Sequence, residues 1–177
     1  TNPTYASMLG DRRWNDRWGD SSLPAIQKEQ EHRETALKDL RKIGREKLPP
    51  VEQLNYDLFE DDLLKSIEEH QFGIYLMPIT QRRGVQTVDD LASGLPFETQ
   101  KDYEDWIARL NAFPQMMNQT IDLMREGIRA RVLQPKITMQ RVPAQIEKQI
   151  VSDPTASGFY KPFAKFPASI STATQEK

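Results

Sequence analysis

The sequence predicts an all-α fold: a multi-helix array with Pro- and Gly-punctuated connections and an irregular aromatic C-terminal segment, itself part of a larger helical fold. Three observations carry that prediction. Apolar residues recur at three- and four-residue spacing through most of the chain, as they do along one face of a helix. Prolines and glycines punctuate those runs, where they start or stop helices. The one stretch that reads as a strand, Ile74 to Ile79, contains Pro78, which demotes it to an extended segment. Across 177 residues only 37% are hydrophobic, so the core is thin for a length that normally supports one domain.

Each element follows from local signals. Ser21 or Ser22 caps a first long helix that Pro24 helps to start, with Ile26, Ala36, Leu37, Leu40 and Ile43 as its apolar marks. Gly44 is placed to end it in a left-handed conformation. After Pro49-Pro50 a second helix carries two neighbouring stripes, Val51, Leu54 and Leu58, then Phe59, Leu63 and Ile67, and stops at Gly73. Thr87 to Asp90 has the form of a capping box opening a short helix that ends at Gly94, and Thr99 to Asp102 repeats it. The helix after Thr99 presents Tyr103, Trp106, Ile107 and Leu110 at i, i+3, i+4 and i+7. Pro114 separates it from a helix marked by Met117, Ile121, Met124 and Ile128. A last helix begins at Pro135 with Ile137, Val142, Ile146 and Ile150, and Pro143 kinks it or limits its start. The chain therefore divides into a helical region, 1–151, and an aperiodic segment, 152–177, where Phe159, Tyr160, Phe163 and Phe166 need a surface to lie on.

Composition removes several function classes. A formal net charge of −2 lacks the basic excess of a dedicated nucleic-acid binder. No apolar run approaches the ~20 residues of a membrane span, and no basic-then-apolar signal peptide opens the chain. Cysteine is absent, which excludes disulfides, thiolate metal sites and a cysteine nucleophile.

The remaining motifs point weakly to chemistry. Glu29-x-x-His32 is half of a di-iron signature, but His70 has Ile67 where its own Glu would stand. No Gly-x-Ser-x-Gly elbow and no phosphate-cradling glycine loop occur. Glu60-Asp61-Asp62, Glu68-Glu69 and Asp89-Asp90 read as helix surfaces and first turns rather than acid–base pairs. Arg12, Arg13 and Arg17 interleave with Trp14, Trp18, Asp11, Asp16 and Asp20, a pattern that predicts Arg–Asp pairs and Arg–Trp stacking. The candidate substrate-binding residues are Arg82 and Arg83, a loop pair suited to gripping a carboxylate, and Arg109, beside the apolar stripe of its helix, where it closes an internal ion pair or lines a ligand cleft.

One stretch is more specific. Residues 95–110, Leu95-Pro96-Phe97-Glu98-Thr99-Gln100-Lys101-Asp102-Tyr103-Glu104-Asp105-Trp106-Ile107-Ala108-Arg109-Leu110, resemble the PF-x-T-x-x-DY-x-x-W-x-x-RL segment of a large bacterial family known as domain of unknown function 885. The likeness continues through Pro114 and Met124-Arg125-Glu126-Gly127-Ile128 to Pro135. Upstream it takes in a Pro78-Ile79 to Gly84 turn and a Gly10-Asp11 to Asp20-Ser21-Ser22 segment, so it covers nearly the whole chain. Arg82-Arg83 and Arg129-Ala130-Arg131 are more charged than the family pattern.

That family is regarded as zinc metallopeptidase-like, all-helical and often exported as lipoproteins. Its zinc ligands lie far downstream, on a His-Glu-x-x-Pro-Gly-His type motif that this chain lacks. The resemblance therefore implies the N-terminal third of a zinc-dependent peptidase-like hydrolase, forming one wall of the substrate cleft. It implies no catalytic or metal residue here, zinc in the downstream part, and the remainder of the polypeptide and a peptide substrate as partners. It also implies a periplasmic or lipid-anchored location, for which a start at Thr1 rather than Met leaves room for a removed leader. The alternative from the residues alone is a stand-alone helical binding or scaffold module.

Overall fold

The computed structural model describes residues 2–175; Thr1, Glu176 and Lys177, included in the expected ranges 1–151 and 152–177, lie outside the described residues. Every regular element among the described residues is helical. The chain folds as two compact units, one of Thr1–Asp20, Pro78–Ile121 and Gln134–Lys177, the other of Ser21–Met77 and Asp122–Leu133.

The second unit is built on a helical hairpin. Its first helix, α2 (Leu23–Lys42), is capped by the Ser22 side chain, which accepts from the Ala25 N–H, with Pro24 in the first turn. It follows a short α1 (Pro3–Met8) that belongs to the other unit. Gly44 does not end α2 in the left-handed manner expected: its φ is −65°. Instead Ile43 closes the last turn on the Leu40 carbonyl and leaves the helix extended, and a 3-10 turn at Arg45–Lys47 leads to Pro49. Helix α3 (Pro50–Gln71) then runs back along α2, as the Arg41–Glu60 pair at 2.7 Å and the Arg45–Asp57 pair at 2.6 Å require. Gly73 does take the left-handed position, φ 63°, after α3. Ile74–Leu76 is a 3-10 turn, where the sequence suggests an extended segment.

Burial in this hairpin is selective. Leu37 of α2 and Tyr56 and Leu63 of α3 turn inward. Of the two α3 stripes, the first faces solvent: Val51, Leu54 and Leu58 are 72%, 59% and 60% exposed. Periodicity marks both stripes equally; the side of α3 that meets α2 is the one carrying Tyr56 and Leu63, flanked by Asp57 and Glu60 within reach of Arg45 and Arg41. Within the same unit, Gly127 is buried where a Cβ would stand 2.9 Å from the carbonyl oxygens of Leu76 and Val132, so only glycine allows that approach.

The first unit centres on Trp106. Helices α4 (Leu91–Gly94) and α5 (Gln100–Asn111) bring Leu91, Ala92, Leu95 and Trp106 into one buried cluster, with Trp18, Phe97, Leu110, Phe159 and Phe163 packed around it. Helix α6 (Phe113–Ala130) starts with Pro114 in its first turn and contributes Phe113 to the same side, its ring centroid 5.3 Å from that of Phe159. The buried side of α5 runs through Asp102, Tyr103, Asp105, Trp106 and Arg109, while Ile107 is 45% exposed. Tyr103 and Trp106 of the expected stripe stay inward and Leu110 is half-buried, but Arg109 takes the interior in place of Ile107.

Other boundaries also shift. Thr87 does not open a helix; its hydroxyl donates to the Gly84 carbonyl inside a 3-10 run at Val85–Asp90, and α4 follows directly. The expected helix from Pro135 is two pieces, α7 (Lys136–Met139) and α8 (Val142–Glu147), with Pro143 in the first turn of the second. The C-terminal segment forms 3-10 turns at Pro154–Ala156 and Gly158–Ala164 and a short α9 (Thr172–Gln175). Its aromatics find their surface on α5: Tyr103 lies 5.8 Å from Phe163 and 4.8 Å from Phe166, and the Trp106 indole N–H donates to the Phe159 carbonyl at 3.1 Å.

All three tryptophans, Trp14, Trp18 and Trp106, belong to this first unit, so their fluorescence reports its unfolding alone. Trp106→Ala removes the largest side chain of its core and is expected to cost ~3–5 kcal/mol, read as a lower urea midpoint of the fluorescence transition.

Candidate functional site

Two polar constellations stand out in the first unit. One fastens the N-terminal segment to α5. Arg109 is 0% exposed, and its Nη2 donates to Ser7 Oγ at 2.8 Å and to the Trp14 carbonyl. The guanidinium carbon lies 5.3 Å from the Trp18 ring centroid, and the Trp18 indole N–H returns a 2.7 Å bond to the Arg109 carbonyl. No carboxylate among the described residues touches this cation, so the internal ion pair considered for Arg109 does not form. Burial pushes the guanidinium down to about 10, opposed by the charges of Asp16 and Asp105, and it stays cationic at neutral pH. The Trp18 face thus takes part of the place of a counter-ion.

Arg12 makes the second tie. Its guanidinium reaches Glu98 at 2.6 Å and the buried Asp102 carboxylate at 3.2 Å. Asp102 is the acidic residue of the expected Thr99 to Asp102 capping box, and one oxygen accepts from the Thr99 N–H, the Thr99 hydroxyl and the Glu98 N–H. Burial works to raise its pKa, but those bonds and the Arg12 charge outweigh it and hold the group below the ordinary value of 3.8. The rest of the Arg–Trp–Asp cluster behaves as the sequence suggests. Arg13 pairs with Asp11 at 2.7 Å, Arg17 pairs with Asp16 at 2.6 Å, and Arg17 stands over Trp14 at 5.6 Å.

The second constellation is the loop bearing Arg82 and Arg83. The Thr80 hydroxyl accepts from both arginine N–H groups, at 3.2 and 3.0 Å, and the Thr80 N–H donates to the Arg83 carbonyl at 2.7 Å. Three glutamine amides lace it down. Gln86 donates to the Thr80 carbonyl at 2.7 Å, Gln145 to the Gln81 carbonyl at 3.2 Å, and Gln149 to the Gln86 carbonyl at 2.9 Å and to Asp89 at 3.2 Å. Gly84 turns the chain at φ 144°, where a Cβ would lie 2.6 Å from Gln86 Oε1 and 3.1 Å from Ile79. Gly158 lies so close to Asp89 that a Cβ there would overlap the carboxylate. The loop backbone is therefore held while both arginine side chains are exposed.

The candidate residues consequently divide. Arg82 and Arg83 are open to solvent, whereas Arg109 is sealed behind Ser7, Trp14 and Trp18. The glutamine lacing is the feature that sequence reasoning missed; Gln145 and Gln149, four apart, were its one visible trace.

The metal-capable residues do not converge. Glu29 pairs with Arg33 at 3.6 Å beside an exposed His32, and His70 stacks on Tyr75 at 4.9 Å. Among the described residues no group of three or more His, Cys, Asp or Glu side chains is placed to hold a metal ion. No helix among them is long and apolar enough to cross a membrane.

Comparison with known proteins gives one match. A family model described as "Bacterial protein of unknown function (DUF885)" covers residues 3–177. No curated protein and no solved structure matches the chain.

Two outcomes test the α5 junction. Arg109→Ala is expected to free residues 3–18: protease cleavage should begin there and amide exchange at Ser7 should rise at least tenfold, with α2 and α3 unchanged. Arg109→Lys should rescue little, since one ammonium cannot meet Ser7, the Trp14 carbonyl and the Trp18 face together. Asp102, with its folded pKa depressed, contributes stability that is present above pH 3.8 and lost as pH falls through its lower folded value. The stability gap between wild type and Asp102→Asn should therefore be full at pH 7 and shrink below about pH 4 in urea titrations.

Proposed function

The chain belongs to this bacterial family, and from that premise we propose that it is the N-terminal helical part of a zinc-dependent peptidase-like hydrolase, forming one wall of the substrate cleft. The observation that carries the reading is the solvent-facing apolar side of α3, Val51, Leu54 and Leu58, continued by a half-exposed Phe59. Single exposed apolar residues are ordinary, but a continuous stripe on one helix marks a surface that another element covers. The zinc belongs, in this reading, to the remainder of the polypeptide. The histidines and acids described above do not fit a metal centre, and no chemical step is assigned to them.

In the same reading Arg82 and Arg83 hold a carboxylate of a peptide substrate. Their exposed side chains and restrained backbone suit that task, because a fixed loop loses less entropy when the arginines engage. Export to the periplasm or anchoring to a membrane by a lipid belongs to the same proposal. The packing of Phe159 and Phe163 on Trp106 favours the second reading, a stand-alone helical binding module, since it completes the first unit's core from its own chain.

The intact gene product decides between them. It is expected to hydrolyse peptides, to lose that activity to a zinc chelator and to regain it with added zinc. A product that ends at Lys177, stays monomeric and lacks chelator-sensitive hydrolysis would establish the binding module instead. If the loop arginines grip substrate, Arg82→Ala with Arg83→Ala should raise KM about 10-fold or more for peptides with a free carboxylate, with kcat nearly unchanged.

A further inference from the structure

The solvent face of α3 has two halves of different chemistry. Val51, Leu54, Leu58, Asp61, Lys65 and Glu68 follow one another at alternating three- and four-residue steps, the spacing of a helix–helix seam. The first half of that seam is apolar and exposed. The second half is acidic: Asp61 is neutralised by Lys65 at 2.6 Å, while Asp62, Glu68 and Glu69 are exposed and form no ion pair among the described residues. At 1.5 Å rise per residue, the apolar half spans roughly 10 Å and the acidic half follows it along the same line.

We propose that this face seats an amphipathic helix from elsewhere in the same polypeptide, apolar opposite Val51, Leu54 and Leu58 and basic opposite Asp62, Glu68 and Glu69. The proposal rests on the reading of the chain as part of a larger hydrolase. Charge selects the partner. A second copy docked parallel sets Asp62, Glu68 and Glu69 against the same three acids. Docked antiparallel, it overlaps only the three apolar side chains, well short of the roughly 1,000 Å² of a stable interface. A helix with lysines or arginines beyond its apolar turn meets both halves at once.

The absence of cysteine from this chain supplies the test. In the intact gene product, Leu54→Cys is labelled with a maleimide and the modified peptide quantified by mass spectrometry, with Lys38→Cys on the exposed side of α2 as reference. The expected result is labelling at Leu54→Cys at least tenfold slower than at Lys38→Cys, with most of that difference lost when Asp62→Lys and Glu69→Lys are added. Equal labelling at the two positions overturns the proposal, even where chelator-sensitive hydrolysis is intact. Slow labelling that speeds up on dilution points to a second copy and also overturns it. Slow, dilution-independent labelling that the charge reversals relieve, in a product without such hydrolysis, leaves the docked helix standing and removes the hydrolase reading.

Discussion

The first unit depends on a cation buried without a contact counter-ion. Arg109 lies in the interior of α5, and what makes that tolerable is the N-terminal segment closing over it with Ser7, the Trp14 carbonyl and the Trp18 ring. The dependence is mutual. Residues 3–18 leave Tyr5, Met8 and Leu9 in water, and they hold their place through Trp18 packed on the Trp106 core, the desolvated guanidinium of Arg109 and the acids that Arg12 reaches. An isolated charge in a protein interior is costly, and here only Nη2 meets oxygen atoms while Nε and Nη1 are buried without one, so when the segment leaves, Arg109 must leave with it or lose the bonds it has.

Side-chain hydrogen bonds also hold the loop that carries Arg82 and Arg83. Side-chain amides tie the loop down, each of three glutamines donating to a backbone carbonyl of the loop or of the turn that follows it. Glycine is required at Gly84 by its positive φ and at Gly158 by the neighbouring Asp89 carboxylate. The result is an exposed pair of strong donors on a restrained backbone. That is a common solution for gripping an anionic group, and it needs no catalytic residue nearby. The sealed Arg109 does the opposite task with the same side chain, which shows how little residue type alone says about role.

The second unit is a hairpin stabilised at its closed end by Arg41–Glu60 and Arg45–Asp57, exposed pairs of modest individual strength. Leu37, Tyr56 and Leu63 supply much of its buried apolar surface, while Val51, Leu54 and Leu58 remain outside. The hairpin thus leaves one of its two apolar stripes in water, and acids continue that stripe along the same face.

Much of the fold was legible in the sequence. Helical spacing, the cap at Ser22, the stop at Gly73 and the acid of the Thr99 to Asp102 box are local, set by backbone geometry within a few residues, and all appear as expected. The Arg–Asp and Arg–Trp contacts of residues 11–18 were legible for the same reason, since their partners lie within a turn or two. What the sequence could not decide were matters of direction. Whether α3 turns Leu58 or Leu63 inward, whether α5 buries Ile107 or Arg109, and whether Gly44 stops a helix depend on groups many residues away. Periodicity defines a helix face but not its partner, and a buried arginine is settled only when distant residues supply its hydrogen bonds. Local chemistry thus determined the helices of this protein, and packing and hydrogen bonds between residues far apart in sequence determined which of their faces became interior.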